Sequence, residues 1–374
     1  MRGCERAIPP TAKVVGFLAQ YFMADWKETL LTEAAAGCKD TAALKETLKA
    51  MAAHPSLSPD NVLLLRMQMP NATAVGGYKA WTEWYHRTLP RDVKPVVLLK
   101  PTVGVGKDAY ITEDAEQNAV SDKSVEFATT CIGYAPVHLY DISQTIPDDG
   151  SEDVKDQYPL TLDDIVTGFR SLMDCDIATV SETGKLAYYN AAKNTLELAT
   201  ENKSLIAEAA ICGLTRFEAE RRLPDTDKLY VGLVAECAAS VLLRINAIEP
   251  SNDILFFAAW NGAEGKNPEQ YLELLNQIYW TSRRAMTRLR YAANQPVSFD
   301  FDEVCLLNQL MTSNNKERLM EQLRELVKHT EVPVLIEAAN NLCEKLDMFD
   351  DAKVRQIYED RCNRKILTQP IYII

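Results

Sequence analysis

Histidine is scarce in this chain: four among 374 residues, His54, His86, His138 and His329. No two stand at the i, i+4 spacing that lets one helix face grip a metal, and residues 150–328 contain none. A zinc-protease HExxH site is therefore missing from the sequence. The nine cysteines, at 4, 38, 131, 175, 212, 237, 305, 343 and 362, form no CxxC pair. An odd count without framework spacing argues against a secreted disulfide scaffold and for reduced thiols acting as small hydrophobes. Apolar runs stop short of a membrane span. Neither GxGxxG nor a Walker pattern occurs, and Gly104 and Gly106 in TVGVGKDAY read as a turn between strands. The opening MRGCERAIPP has no apolar signal-peptide core, so a cytoplasmic protein with no membrane partner and no cofactor is expected.

What is present is ordinary for a soluble globular protein: 47% hydrophobic and 25% charged residues, over a length that suits two domains and a third element. The net charge of −13 alone argues weakly against nucleic acid. Its distribution argues the other way. From Asn61 to Lys107 there are seven basic residues (Arg66, Lys79, Arg87, Arg91, Lys94, Lys100, Lys107) and two acids, Glu83 and Asp92. Asp108 to Asp156 then carries twelve acids and two lysines.

Helical spacing runs through 11–53, with Leu44, Leu48 and Met51 on one face of a helix capped near Asp40. Asp60 is the expected cap of a further helix. VKPVVLLKP at 93–101 reads as a buried strand, and 127–142 as another, or two. IPDDGSEDVKDQ, residues 146–157, is the best linker in the chain. Beyond it come a helix at 160–173 and a hairpin within 178–199 that turns at Asn190–Lys193. Long helices follow at 202–222, 228–247 and 268–294, then short ones to about 363. In the last group Leu319, Leu323, Leu326 and Val327 form a stripe of core type. The fold class expected is α+β, with domains at 1–148, 158–298 and 299–374.

Residues 61–84, NVLLLRMQMPNATAVGGYKAWTEW, carry Asn61, Gln68, Pro70, Ala72, Thr73, Gly77, Tyr78 and Trp81 in a distinctive order. About sixty residues later comes Asp141-Ile142-Ser143-Gln144-Thr145. Together these resemble the N-terminal domain of ArdC-type antirestriction proteins, although PRDVKP at 90–95 replaces that family's Gly-Glu-Lys-Gly turn. The resemblance spans roughly residues 15–295 and implies binding of single-stranded DNA. Asn61, Arg66, Gln68, Thr73, Tyr78, Lys79, Trp81, Arg87, Arg91 and Gln144 are the expected contacts. The chemistry is compatible, since single strands are held by cationic grooves with aromatic faces for the bases. Trp81 and Tyr85, however, are spaced i, i+4 and can share one buried face.

In the same family a zinc metallopeptidase domain follows. Here its hairpin and helices are recognisable, and the resemblance sets Cys212 and Arg216 where the histidines would stand, Gly213 where the general base would be, and Glu236 at the third ligand. Arginine stays protonated and binds no metal. Cys212 with Glu236 falls short of the three protein ligands a catalytic zinc needs. No metal and no enzymatic activity are expected, and Arg216 is a natural ion-pair partner for Glu236. The reading is a single-stranded-DNA-binding antirestriction protein of a mobile element or phage. The alternative is a module on a dead peptidase fold that binds a host defence protein.

Overall fold

A computed structural model describes residues 26–105, 129–149, 151, 159–181, 186–251, 254–262, 265–311, 313–330 and 333–362. Helix α1 occupies 26–37, and α2 is Thr41–Ala53. Asp40 caps α2, its carboxylate accepting the Ala43 N–H at 2.8 Å, and the face of Leu44, Leu48 and Met51 is buried as its spacing predicts. Helix α3 is Pro59–Gln68. Its cap position is Ser58 rather than the expected Asp60: Pro59, whose ring presets a helical φ and whose missing N–H costs nothing at a helix start, opens the helix one residue earlier. Asp60 then falls in the first turn.

Strand β1 is Val75–Gly76, a π-helical turn covers Ala80–Trp84, and β2 is Arg87–Thr88. The long strands are β3, Val96–Val105, and β4, Thr129–Asp141. They pair antiparallel from Val96–Leu139 to Val105–Thr129, with a bulge between Thr102 and Val103. The segment read as a turn at 102–105 is thus strand, because Gly104 stays in register with Thr130; residues 106–110 of that reading lie outside the described ones. Sheet order is β1-β4-β3. A 3-10 turn, Ile142–Gln144, leads into β5, Ile146–Pro147, which pairs with β2.

Helix α4 is Leu162–Met173, begun by a reciprocal capping box between Thr161 and Asp164. Then come β6, Asp176–Thr179, and the hairpin of β7, Ala187–Asn190, with β8, Thr195–Leu198. The sheet order is β6-β8-β7, with β6 parallel to β8. Helices α5, Lys203–Arg222, α6, Lys228–Ile245, α7, Phe256–Asn261, and α8, Pro268–Ala292, follow. The final group is α9, Phe301–Leu310, α10, Lys316–His329, α11, Pro333–Met348, and α12, Asp351–Cys362. The α+β class holds.

One hydrophobic cluster runs through all three segments expected as domains: Leu48, Leu63 and Leu98 share it with Leu233, Trp280 and Tyr271, and with Leu306, Leu323 and Leu342. The stripe Leu319, Leu323 and Leu326 is part of this core, with Val327 packed against it. Polar contacts cross the same junction. Gln309 donates to the Pro101 carbonyl at 3.0 Å and the Phe301 N–H to that of Ser56 at 2.9 Å. A second cluster (Phe169, Leu196, Ile211, Leu214, Leu289) lies under the hairpin, and a third, small one holds Ala74, Ala80, Trp81 and Tyr85. Among the described residues no helix is long and apolar enough to cross a membrane.

Candidate functional site

The edge of β3 that faces away from β4 is occupied by side chains of α3. Asn61 donates to the Leu99 carbonyl and accepts the Leu99 N–H, both at 2.8 Å. Gln68 does the same for Val97, both at 2.9 Å. Residues two apart on a strand point the same backbone groups to the same side, and residues seven apart on a helix return to the same face. Two amides at that spacing therefore act as a substitute strand for an otherwise unpaired edge. Both were expected at the DNA surface. Asn61 is instead 1% exposed and fully engaged, and Gln68, though reached by solvent, has both amide atoms committed to the sheet.

The second motif is a latch. Asp141, fully buried, accepts the N–H groups of Thr73 at 2.7 Å, Ala74 at 2.9 Å and Ser143 at 2.9 Å. Gln144 accepts the Asp141 N–H and donates to the Lys94 carbonyl, each at 2.9 Å. Trp81 is 0% exposed, and its indole N–H donates to the Tyr140 carbonyl at 2.8 Å. Trp81 and Asn61 are thus buried framework, whereas Gln68 and Gln144 brace the backbone and still reach solvent. Asp141 is the residue the contact set missed. Its signal was legible: Asp-x-x-Gln is the spacing of a capping box, and both halves of that box form.

What the framework leaves outward is a smaller set. Tyr78 is 59% exposed, and the space that a side chain at neighbouring Gly77 would enter is open. Lys79, Thr73 and Arg91 are exposed. Arg87 is half-buried, its Nε donating to Thr145 Oγ1 at 2.6 Å, and Arg66 reaches Thr47 Oγ1 at 3.1 Å. His86, directly before Arg87, holds φ at +48°, a left-handed conformation uncommon outside glycine, at the point where the π-helical turn gives way to β2. Tyr78 and Lys79 thus stand at the head of an irregular turn that is fixed from beneath by Trp81.

In the second half of the chain, β7 and α5 enclose a cleft of about 860 Å³ whose lining includes Cys212, Gly213 and Arg216. Gly213, Arg216 and Glu236, three of the positions expected from the resemblance, each have a structural use. A Cβ on Gly213 would stand 2.8 Å from that of Tyr189, so only glycine lets the hairpin lie this close to α5. Arg216 pairs with Glu220, one turn on, at 2.6 Å, where pairing with Glu236 was expected. Glu236 accepts the N–H groups of Leu255 at 3.1 Å and Phe256 at 3.2 Å, at the start of α7, where the backbone donors of a helix lack intrahelical partners. Among the described residues no three His, Cys, Asp or Glu side chains gather as a metal site, and the donors at these positions do not fit a zinc ion.

No protein-family model matches the chain, and no curated protein matches it. The chain is similar to solved structures of the antirestriction ArdC protein from plasmid R388. For the metal-free structure the TM-score is 0.38 at 16% identity, over 63% of this chain and 85% of that one. For the Mn(II)-bound structure it is 0.33 at 15% identity, over 63% and 82%.

Proposed function

We propose that this protein binds single-stranded DNA on the face around Tyr78, as an antirestriction protein of the ArdC type, and that its β7–α5 cleft is not hydrolytic. The observation that carries the reading is the exposure of Tyr78 in a segment where Asn61, Gln68, Trp81, Asp141 and Gln144 brace the backbone. A tyrosine ring left 59% in solvent beside open space at Gly77, with Lys79 next to it, suits a base stacked on the ring and a phosphate against the ammonium. Arg91, exposed on the following loop, adds a second cation. The fixed backbone beneath limits the entropy lost on binding. The biological setting, protection of invading DNA while it is single-stranded, comes from the motif resemblance.

Fluorescence anisotropy with labelled single- and double-stranded oligonucleotides over a salt series tests it. Single strands should bind with a negative log–log salt slope, duplexes more weakly. Tyr78→Ala should weaken binding roughly 5- to 100-fold, the cost of one lost base stack. Lys79→Ala with Arg91→Ala should reduce the slope by about 0.7 per cation removed. Absence of single-strand binding at low salt, or a Tyr78→Ala protein that binds like the parent, would overturn the reading.

A further inference from the structure

The outer edge of β4 lies beside Tyr78 and deepens the DNA reading, on which it rests. The backbone groups of Leu99 and Val97 face α3, where Asn61 and Gln68 take them up. Their partners in the ladder are Pro136 and His138. In an antiparallel pair, two residues opposite each other either both exchange hydrogen bonds or both turn outward. Pro136 and His138 therefore turn their backbone groups away from β3. Proline, which has no N–H to give to a ladder, fits that position. The same parity continues along the strand direction, since the Ile142 N–H donates outward to the Ala74 carbonyl at 2.8 Å.

Strand β1 covers only the end of this edge, with Gly76 opposite Tyr140 and Val75 opposite Asp141. Continued register would set Tyr78 opposite His138, but the chain leaves the sheet at Gly77 and turns away. Among the described residues no strand pairs with β4 at His138 on this side. The N–H and C=O of His138 thus face outward, about 7 Å along the strand from those of Tyr140. His138 is itself exposed. The neighbouring stretch is fixed, because the buried Trp81 donates its indole N–H to the Tyr140 carbonyl at 2.8 Å.

The opposite edge of the same sheet shows what such a pair of groups accepts. At Val97, the residue facing His138, one carboxamide supplies a donor beside an acceptor and satisfies both backbone groups at 2.9 Å. The Watson–Crick edge of a nucleobase carries the same pattern, a ring nitrogen beside an exocyclic oxygen or amine, one donating and the other accepting. In a duplex the complementary base occupies that edge; in a single strand it is free. We infer that a base of the bound strand docks its Watson–Crick edge on the His138 N–H and C=O, beside the base stacked on Tyr78, and that this contact separates single strands from duplex. The surrounding charge favours nucleic acid as the occupant: Lys79 is exposed next to Tyr78, and residues 61–107 hold seven cations against two acids. Because every base carries the pattern, the contact selects strandedness more than sequence.

The probes are a fluorescein-labelled oligothymidine of roughly 12 nucleotides and the same strand with N3-methylthymine throughout, each added to the full chain and followed by anisotropy. Methylation removes the Watson–Crick donor and keeps the ring, the charge and the phosphates. The methylated strand should bind roughly 5- to 100-fold more weakly, the cost of leaving the His138 carbonyl unmet. Its salt slope should be the same, since the phosphate contacts remain. His138→Pro removes the outward N–H without touching the ladder to β3. It should weaken oligothymidine binding at least about fivefold more than His138→Ala, which keeps both backbone groups, and melting temperatures confirm that both variants fold. Equal affinity for the two strands, or a His138→Pro protein that binds as well as His138→Ala, would overturn the inference and leave stacking on Tyr78 standing. No binding of either strand at low salt would overturn the DNA reading and this inference with it. An alternating threonine–valine peptide tests the other occupant of an open strand edge. Its binding to the parent chain, lost in His138→Pro while oligothymidine affinity stays unmoved, would assign the edge to a protein strand and overturn the inference.

Discussion

Asn61 separates a framework role from a binding role. Its amide satisfies two backbone groups of Leu99, a residue 1% exposed, through bonds of 2.8 Å each. Replacing it by alanine leaves a donor and an acceptor buried where water does not reach. Each such orphan costs about 1–3 kcal/mol, so Asn61→Ala should lose about 2–6 kcal/mol. Gln68→Ala removes an equivalent pair of bonds at 2.9 Å, yet that side chain is exposed and water replaces it. Its loss should stay near about 1 kcal/mol. Urea unfolding followed by circular dichroism reads both, with the midpoint moving and the slope unchanged. The reasoning is wrong if the two variants lose the same amount, or if Asn61→Ala loses less than about 1 kcal/mol. Oligonucleotide affinity per folded molecule should not change in Asn61→Ala. A tenfold drop there would return the residue to the DNA surface.

Two further outcomes are expected. Asp300 and Asp302 sit buried at the start of α9, near the half-buried Asp60 of α3; desolvation pushes Asp60 and Asp300 up to about 6 and Asp302 well above the usual carboxylate range. A carboxyl raised in the fold contributes its stability below the unfolded value near 4 and loses it as pH rises through the folded value. Melting temperature should therefore fall as pH rises from about 4 through about 6 and beyond, and Asp302→Asn should flatten that fall; a variant with the parent's profile would refute the assignment. Gly213→Ala puts a Cβ 2.8 Å from that of Tyr189 and should cost about 1–3 kcal/mol by thermal unfolding; a neutral result would show that the hairpin does not rest on α5.

The elements most legible in the sequence are those whose period is long and one-sided. The Leu44, Leu48, Met51 face of α2 and the Leu319, Leu323, Leu326 face of α10 read as helices because each needs only its own repeat to be recognised. The hairpin of β7 and β8 turns where the Asn190–Lys193 cluster places it, with Asn194 taking the left-handed φ of +49° that closes it. Gly104 misled because glycine in a long paired strand and glycine in a turn are the same letter, and register with Thr130 is a long-range fact. The shared core was hidden for a related reason. The acidic stretch at 146–157 reads in sequence as a linker, but contacts such as Gln309 to Pro101 join residues 208 apart in sequence.

The motif residues were legible as a pattern, but Asn61, Trp81 and Asp141 are buried rather than on the surface. Asn, Gln and Asp suggest solvent and ligands because isolated polar side chains are costly to bury. Here the cost is offset by backbone partners, which sequence does not display: the edge of β3 for Asn61 and Gln68, and the N–H groups of Thr73, Ala74 and Ser143 for Asp141. A motif of this kind specifies a rigid mount more than it specifies contacts. Tyr78 differs from the rest because nothing beneath it uses its ring, and the same test applied to the second half separates Gly213, fixed by Tyr189, from Phe217, exposed on the cleft rim. Among the positions that the framework leaves unemployed are Tyr78, on its turn, and Phe217, on the cleft rim.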